Sequence, residues 1–236
     1  MSSPAEKLDR RRRAPRGAGD QLREEILDAT TGLLLEIGQA KAVSIRAVAQ
    51  RVGVTSPSIY LHFEDKDALL DAVCGRYFEK LDEEMQRAAA AVRGQTTALE
   101  VMRALGKAYV RFALQTPELY RIATMGQGNP GSDVDMTLNS SAFTHMRAGV
   151  QAMMDEGIYA PGDTTRVALE LWTAAHGIAA LLIAKPYLPW GDVEEFTDRV
   201  LRAVCCGQIV SGIIGYDTSP QDTVEQLMTL RGIGHE

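Results

Sequence analysis

From Asp20 to Gly215 the apolar residues of this chain return every three or four places, and nowhere do they alternate with polar ones over a useful length. A repeat near 3.6 lines one face of a helix, whereas a strand needs a repeat of two. The pattern therefore predicts an all-α fold of about nine helices. The first runs from Asp20 through Leu22, Ile26, Ala29, Leu33 and Ile37 to a stop at Gly38. A second, capped by Ser44, carries Ile45, Val48, Ala49 and Val52 and ends at Gly53. A third starts at Ser56-Pro57, with the serine as cap, and reaches about Phe63. A long fourth covers about Lys66 to Arg93. Further helices follow over Ala98 to Gln115, after Pro117, and over about Met136–Glu156, Thr165–Ala184 and Val193–Gly215. Gly126 to Asp133 (GQGNPGSD) reads as a loop, and Lys185 to Asp192 (KPYLPWGD) as a proline-rich connection. Residues 1–19 read as a disordered basic tail.

Composition removes whole classes. With 45% hydrophobic residues the chain has apolar surface enough to offset its entropy, so global disorder is excluded. The longest nearly apolar stretch, Gly177 to Ala184, falls short of the roughly 20 residues of a membrane span. The charged N-terminus has no apolar segment of a signal peptide. The expectation is a cytoplasmic protein without a membrane partner. Three cysteines, an odd number without CxxC spacing, argue against a disulfide framework. Cys205 and Cys206 are adjacent and point about 100° apart on a helix, so they suit no shared metal. No nucleotide-binding glycine loop, HExxH or GxSxG is present, and His62, His145, His176 and His235 are scattered. Neither catalysis nor a metal or cofactor is expected.

The net charge of −6 hides an asymmetry. Residues 1–66 hold 11 Lys/Arg against 9 Asp/Glu, and the rest of the chain holds 14 against 22. A mildly basic front on an acidic body is compatible with a DNA-binding head and a body with another task. Arg10, Arg11, Arg12, Arg13 and Arg16 form a basic arm that either reaches a minor groove or is simply solvated. Helices two and three, separated by Gly53-Val54-Thr55, form a helix-turn-helix when packed on the first. Thr55, Ser56, Ser58, Tyr60, Leu61 and His62 lie on or beside the outward side of helix three. Short hydroxyls let a helix lie deep in the major groove and also donate to phosphates. Lys66, opening the next helix, suits a phosphate. A plain three-helix bundle with an idle polar face fits the same pattern.

The run from Ser44 to Leu70 resembles the DNA-binding segment of the TetR/AcrR family of transcriptional regulators. The matching residues are Ser44, Ile45, Val48, Ala49, Gly53, Val54, the Tyr60-x-His62-Phe63 signature, Lys66 and Leu69-Leu70. The resemblance implies a homodimer on a palindromic double-stranded operator, helix three as recognition helix, and repression as the usual mode. By matched position Ser44, Arg46, Ser56, Ser58, Tyr60, His62 and Lys66 face DNA. Two departures concern base preference: Thr55-Ser56-Pro57 stands where many members have Ser-x-Gly, and Leu61 is apolar. The resemblance divides the chain into a DNA-binding domain at 20–66 and a helical ligand-binding and dimerisation domain at 67–236.

Trp172-x-x-x-His176-Gly177 resembles the motif of a Trp-His-Gly subgroup. The spacing puts Trp172 and His176 on one helix face, where core packing or ligand contact would each serve. Met102, Tyr109, Phe112, Tyr120, Phe143, Met146 and Trp172 recur at helical spacings on several helices. They either fill a solid core or line a cavity, and the resemblance favours the cavity. Its occupant is expected to be a small, largely apolar effector, with His176 or Tyr109 as polar contacts. The last two helices are apolar nearly all round, as burial on two sides requires. The expected dimer interface comprises Leu171, Ile178, Leu182, Phe196, Val200, Ala203, Gly207, Val210 and Ile214. A constitutive architectural DNA-binding protein leaves the large acidic body unexplained, and a helical enzyme lacks a motif.

Overall fold

A computed structural model describes residues 18–94, 96–125 and 139–230. The described residues form ten α-helices and one 3-10 turn, with no strand. The helices are α1 (Ala18–Ile37), α2 (Ile45–Val52), α3 (Ser56–Tyr60), α4 (Lys66–Val92), α5 (Ala98–Gln115), α6 (Pro117–Met125), α7 (Ser141–Asp155), α8 (Thr164–Ala184), α9 (Val193–Ile214) and α10 (Pro220–Leu230). The 3-10 turn, Ala40–Ala42, precedes α2. α10 is the helix absent from the sequence reading. The basic arm, Arg10 to Arg16, and the glycine-rich loop at 126–133 lie outside the described residues.

Local chemistry sets most helix ends. The Ser44 hydroxyl accepts from the Ala47 amide at 3.2 Å and starts α2. Gly53 ends it at φ 78°, a left-handed position that costs a side chain strain, and its amide reaches the Ala49 carbonyl at 3.0 Å. α3 departs from expectation at both ends. Thr55, not Ser56, is its cap residue, which puts Pro57 second in the helix. The helix closes at Tyr60, because the His62 and Phe63 amides both turn back to the Ile59 carbonyl, at 2.9 and 3.1 Å. Asp163 and Asp192 cap α8 and α9 through their carboxylates.

The described residues fall into two compact units, one within the bounds Met1–Phe78 and Thr116–Asn129, the other within Glu79–Gln115 and Pro130–Glu236. The division falls within α4, so the opening of α4 and all of α6 join the N-terminal unit. That unit packs Ile26, Leu27, Leu34, Val48, Ala49, Ile59, Phe63 and Leu69 into one apolar core, with Ile122 of α6 against it. Arg51 on α2 makes a bidentate pair with Glu36 on α1, at 2.9 and 2.6 Å. Arg76 on α4 pairs with Asp28 on α1.

In the second unit α5 packs against α7, α8 and α9, and α8 also against α7 and α9. Close approaches rely on absent side chains. A Cβ on Gly106 would meet Leu201 at 2.9 Å, and one on Gly212 would meet the Ala160 Cβ at 3.0 Å. Arg103 on α5 bonds Glu100 of the same helix and Asp198 on α9, and holds the Asp198 carboxyl below its ordinary pKa. α8 is, at 21 residues and a mean hydropathy of 1.7 in its most apolar window, long and apolar enough to cross a membrane. The sequence reading missed this by scoring only the unbroken run Gly177 to Ala184. In the fold α8 buries seven residues, among them Val167, Leu171, Ala175 and Ile178, so its apolar character has a use in the core.

Candidate nucleic-acid interface and aromatic cluster

Residues 37–63 contain Lys41, Arg46 and Arg51 and no Asp or Glu, in a chain with 31 acidic residues. This run spans the 3-10 turn, α2 and α3. Arg51 is committed to Glu36, which raises the arginine pKa and lowers that of the carboxyl. Lys41 and Arg46 remain as exposed cations. Lys41 went unnamed in the sequence reading, and the acid-free run is the signal that finds it.

The sequence-nominated residues lie within this run, except Lys66, which opens α4 just beyond Glu64 and Asp65. Ser44, Arg46, Thr55, Tyr60 and Leu61 are exposed, and Ser56, Ser58, His62 and Lys66 are half-buried. Ile59 and Phe63 anchor the segment from within, at 0% and 5% exposure, while Tyr60 and Leu61 stand out at 52% and 84%. Several hydroxyls are already engaged. The Ser44 oxygen caps α2, and the Thr55 and Ser58 hydroxyls lie 3.0 Å apart. Lys66 Nζ donates to the Lys41 carbonyl at 3.0 Å, which ties the start of α4 to the turn before α2. An ammonium has three donors, so a phosphate contact stays open to Lys66.

The second unit brings three nominated polar-aromatic residues together. Trp172 Nε1 donates to the Tyr109 hydroxyl at 3.2 Å, and that hydroxyl lies 3.3 Å from His176 Nδ1. The Trp172 and His176 rings are 5.1 Å apart. Tyr109 is buried, and burial holds the His176 pKa below its ordinary value, which favours the neutral ring. Met102, Phe143 and Met146 are buried in the same unit and Phe112 is half-buried. Tyr120 departs from the group. It is fully buried in the N-terminal unit, where Tyr77 bonds Thr116. A pocket of about 230 Å³ between α4 and α5 is lined by Glu84, Arg87, Ala88, Ala108, Arg111, Phe112 and Gln115. Of the residues expected to line an apolar cavity it takes only Phe112, and its rim is charged.

The expected interface residues separate by helical phase. Leu171, Ile178 and Leu182 are corrected: each is at most 6% exposed, because they follow one stripe with Ala175 that faces the core of their own chain. The outer side of α8 carries Leu169, Thr173 and Leu181 instead. On α9, Ala203 and Gly207 are exposed and Phe196, Val200, Val210 and Ile214 half-buried, opposite the inward Thr197, Leu201 and Cys205.

Residues 26–73 match the family model for bacterial regulatory proteins of the tetR family, and residues 102–204 the tetracyclin repressor-like C-terminal domain. The chain belongs to the TetR family. Its N-terminal match covers most of α1 through the first turns of α4 and so contains the whole acid-free run 37–63. The C-terminal match ends within α9 and leaves α10 outside. Among relatives, the HTH-type transcriptional repressor KstR of Mycolicibacterium smegmatis is 34% identical over 114 residues, 48% of this chain and 55% of that protein. KstR of Mycobacterium tuberculosis is 31% identical over 137 residues, 57% of this chain and 62% of that protein. The chain thus spans less than two thirds of the length of either. A solved structure of a protein of unknown function from Rhodococcus sp. RHA1 superposes with a TM-score of 0.68 at 28% identity, covering 80% of this chain and 95% of the other.

Proposed function

We propose that this TetR-family chain is a homodimeric repressor that binds a palindromic operator and is released by a small, largely apolar ligand. The observation that carries the DNA reading is the exposed, acid-free helix-turn-helix surface of residues 37–63 on an otherwise acidic chain. α3 enters the major groove. Ser56, Ser58 and Leu61 lie nearest base edges, while Ser44, Arg46, Thr55, Tyr60, His62 and Lys66 hold the backbone. Two heads meet successive major grooves when their half-sites lie about 34–36 Å apart.

Dimerisation uses the outward sides of α8 and α9, where Phe196, Val200, Ala203, Gly207, Val210 and Ile214 stand with Leu181. An added Cβ on Gly207 would meet nothing within 4 Å of its own chain, which leaves space for a neighbouring helix. The ligand lodges beside the Tyr109–Trp172–His176 cluster, with Met102, Phe143 and Met146 as apolar neighbours. α4 carries residues of both units, so a ligand that changes its set has a covalent route to the head. About 1–3 kcal/mol of coupling alters operator affinity 5–150-fold. Gel-shift titration with DNA flanking the coding region, followed by release with hits from a thermal-shift ligand screen, tests the reading. Sequence-selective binding released by a hit is expected. Binding that no stabilising hit weakens contradicts the ligand half.

A further inference from the structure

We propose that Leu61 reads the 5-methyl group of a thymine in each operator half-site, an inference that rests on the DNA-binding reading above. Among the described leucines of the N-terminal unit, Leu27, Leu34 and Leu69 are at most 2% exposed, and the most exposed apart from Leu61 is Leu35 at 48%. Leu61, at 84%, gives the core almost nothing. Its outward direction is fixed rather than incidental. Ile59 and Phe63 on either side are buried, and the amides of His62 and Phe63 both bind the Ile59 carbonyl. The leucine is therefore presented on a rigid turn at the end of α3, next to the exposed Tyr60, within the run that lacks any carboxylate.

The chemistry of the groove narrows what such a side chain can recognise. Every major-groove base edge presents hydrogen-bonding atoms, and only thymine adds an apolar group. A leucine has neither donor nor acceptor. Against cytosine or adenine it would cover polar atoms and leave them unpaired, which penalises those bases. Against thymine it buries a methyl group. Discrimination by Leu61 thus takes one form, preference for the methyl. The competing view is an idle surface leucine, since single exposed leucines are common.

A cycle of protein and DNA changes separates the two. An operator is selected in vitro with the full chain, and each thymine is replaced in turn by deoxyuridine, which removes the methyl and keeps the pairing. Wild-type protein should show one position per half-site where this lowers affinity, about fourfold per methyl lost. The Leu61→Ala variant should bind with no sensitivity at that position, while its thermal midpoint and salt slope stay those of the wild type. A uracil profile identical in Leu61→Ala, or a wild type without any uracil-sensitive position, overturns the proposal. A wild type that selects no sequence at all instead removes the DNA-binding reading, and this inference with it.

Discussion

His176 sits half-buried against Trp172 and Tyr109, and its pKa is depressed by burial alone. The sign of its effect on stability follows. Below its ordinary pKa of about 6.5 the unfolded chain takes up a proton that the folded state resists, so stability rises with pH through that window and falls on acidification. The thermal midpoint, followed by circular dichroism, is expected to drop between about pH 7.5 and 5.5, and His176→Phe should lose part of that drop. An equal drop in the variant would assign the acid sensitivity elsewhere. In the head, Lys66→Ala should weaken binding to all DNA sequences alike and lower the salt slope by about one. A changed base preference with an unchanged slope would contradict the phosphate role. Position alone did not reveal that Lys66 also holds the Lys41 carbonyl, since 25 residues separate the two.

At the scale of helices, glycines separate tolerable from costly additions. A Cβ on Gly149 would lie 2.8 Å from the terminal methyl of Met102, a flexible side chain able to swing aside. On Gly212 it would meet the Ala160 Cβ at 3.0 Å and the Ala160 amide nitrogen at 3.4 Å, and neither gives easily. Gly212→Ala should therefore cost about 1–3 kcal/mol in urea unfolding, and Gly149→Ala distinctly less. Equal costs would mean that the turn carrying Ala160 moves freely. Much of this level was legible in the sequence. Caps and stops such as Ser44 and Gly53 were readable from residue type, and so was the inward stripe of α2. α10 was not, because Val224, Leu227 and Met228 cover barely one turn of period. α8 was legible as a helix but not in phase: apolar residues all round leave nothing to mark Leu171 and Ile178 as inward and Leu181 as outward. Trp172 and His176 share a face by simple spacing. Their meeting with Tyr109, more than 60 residues earlier, depends on how α5 packs on α8.

For the whole molecule, dimerisation and DNA binding are one claim, because a palindrome needs two heads. Ala203→Arg and Gly207→Arg each place a charge on the exposed side of α9. Each should turn a dimer into a helical monomer in analytical ultracentrifugation and reduce operator affinity. A dimer that survives both changes places the interface on another surface. Ligand and operator must also oppose each other reciprocally. Whatever factor a screening hit takes from DNA affinity, saturating operator should take from the affinity for that hit. The most direct measurement is a fluorescence-anisotropy titration of the full chain with the DNA flanking its coding region and with a scrambled duplex of equal length, repeated across a salt series. The account predicts two protomers per site and a preference over scrambled DNA of at least about 10³, with affinity falling steeply as salt rises. Equal affinity for the two duplexes at every salt concentration would contradict it.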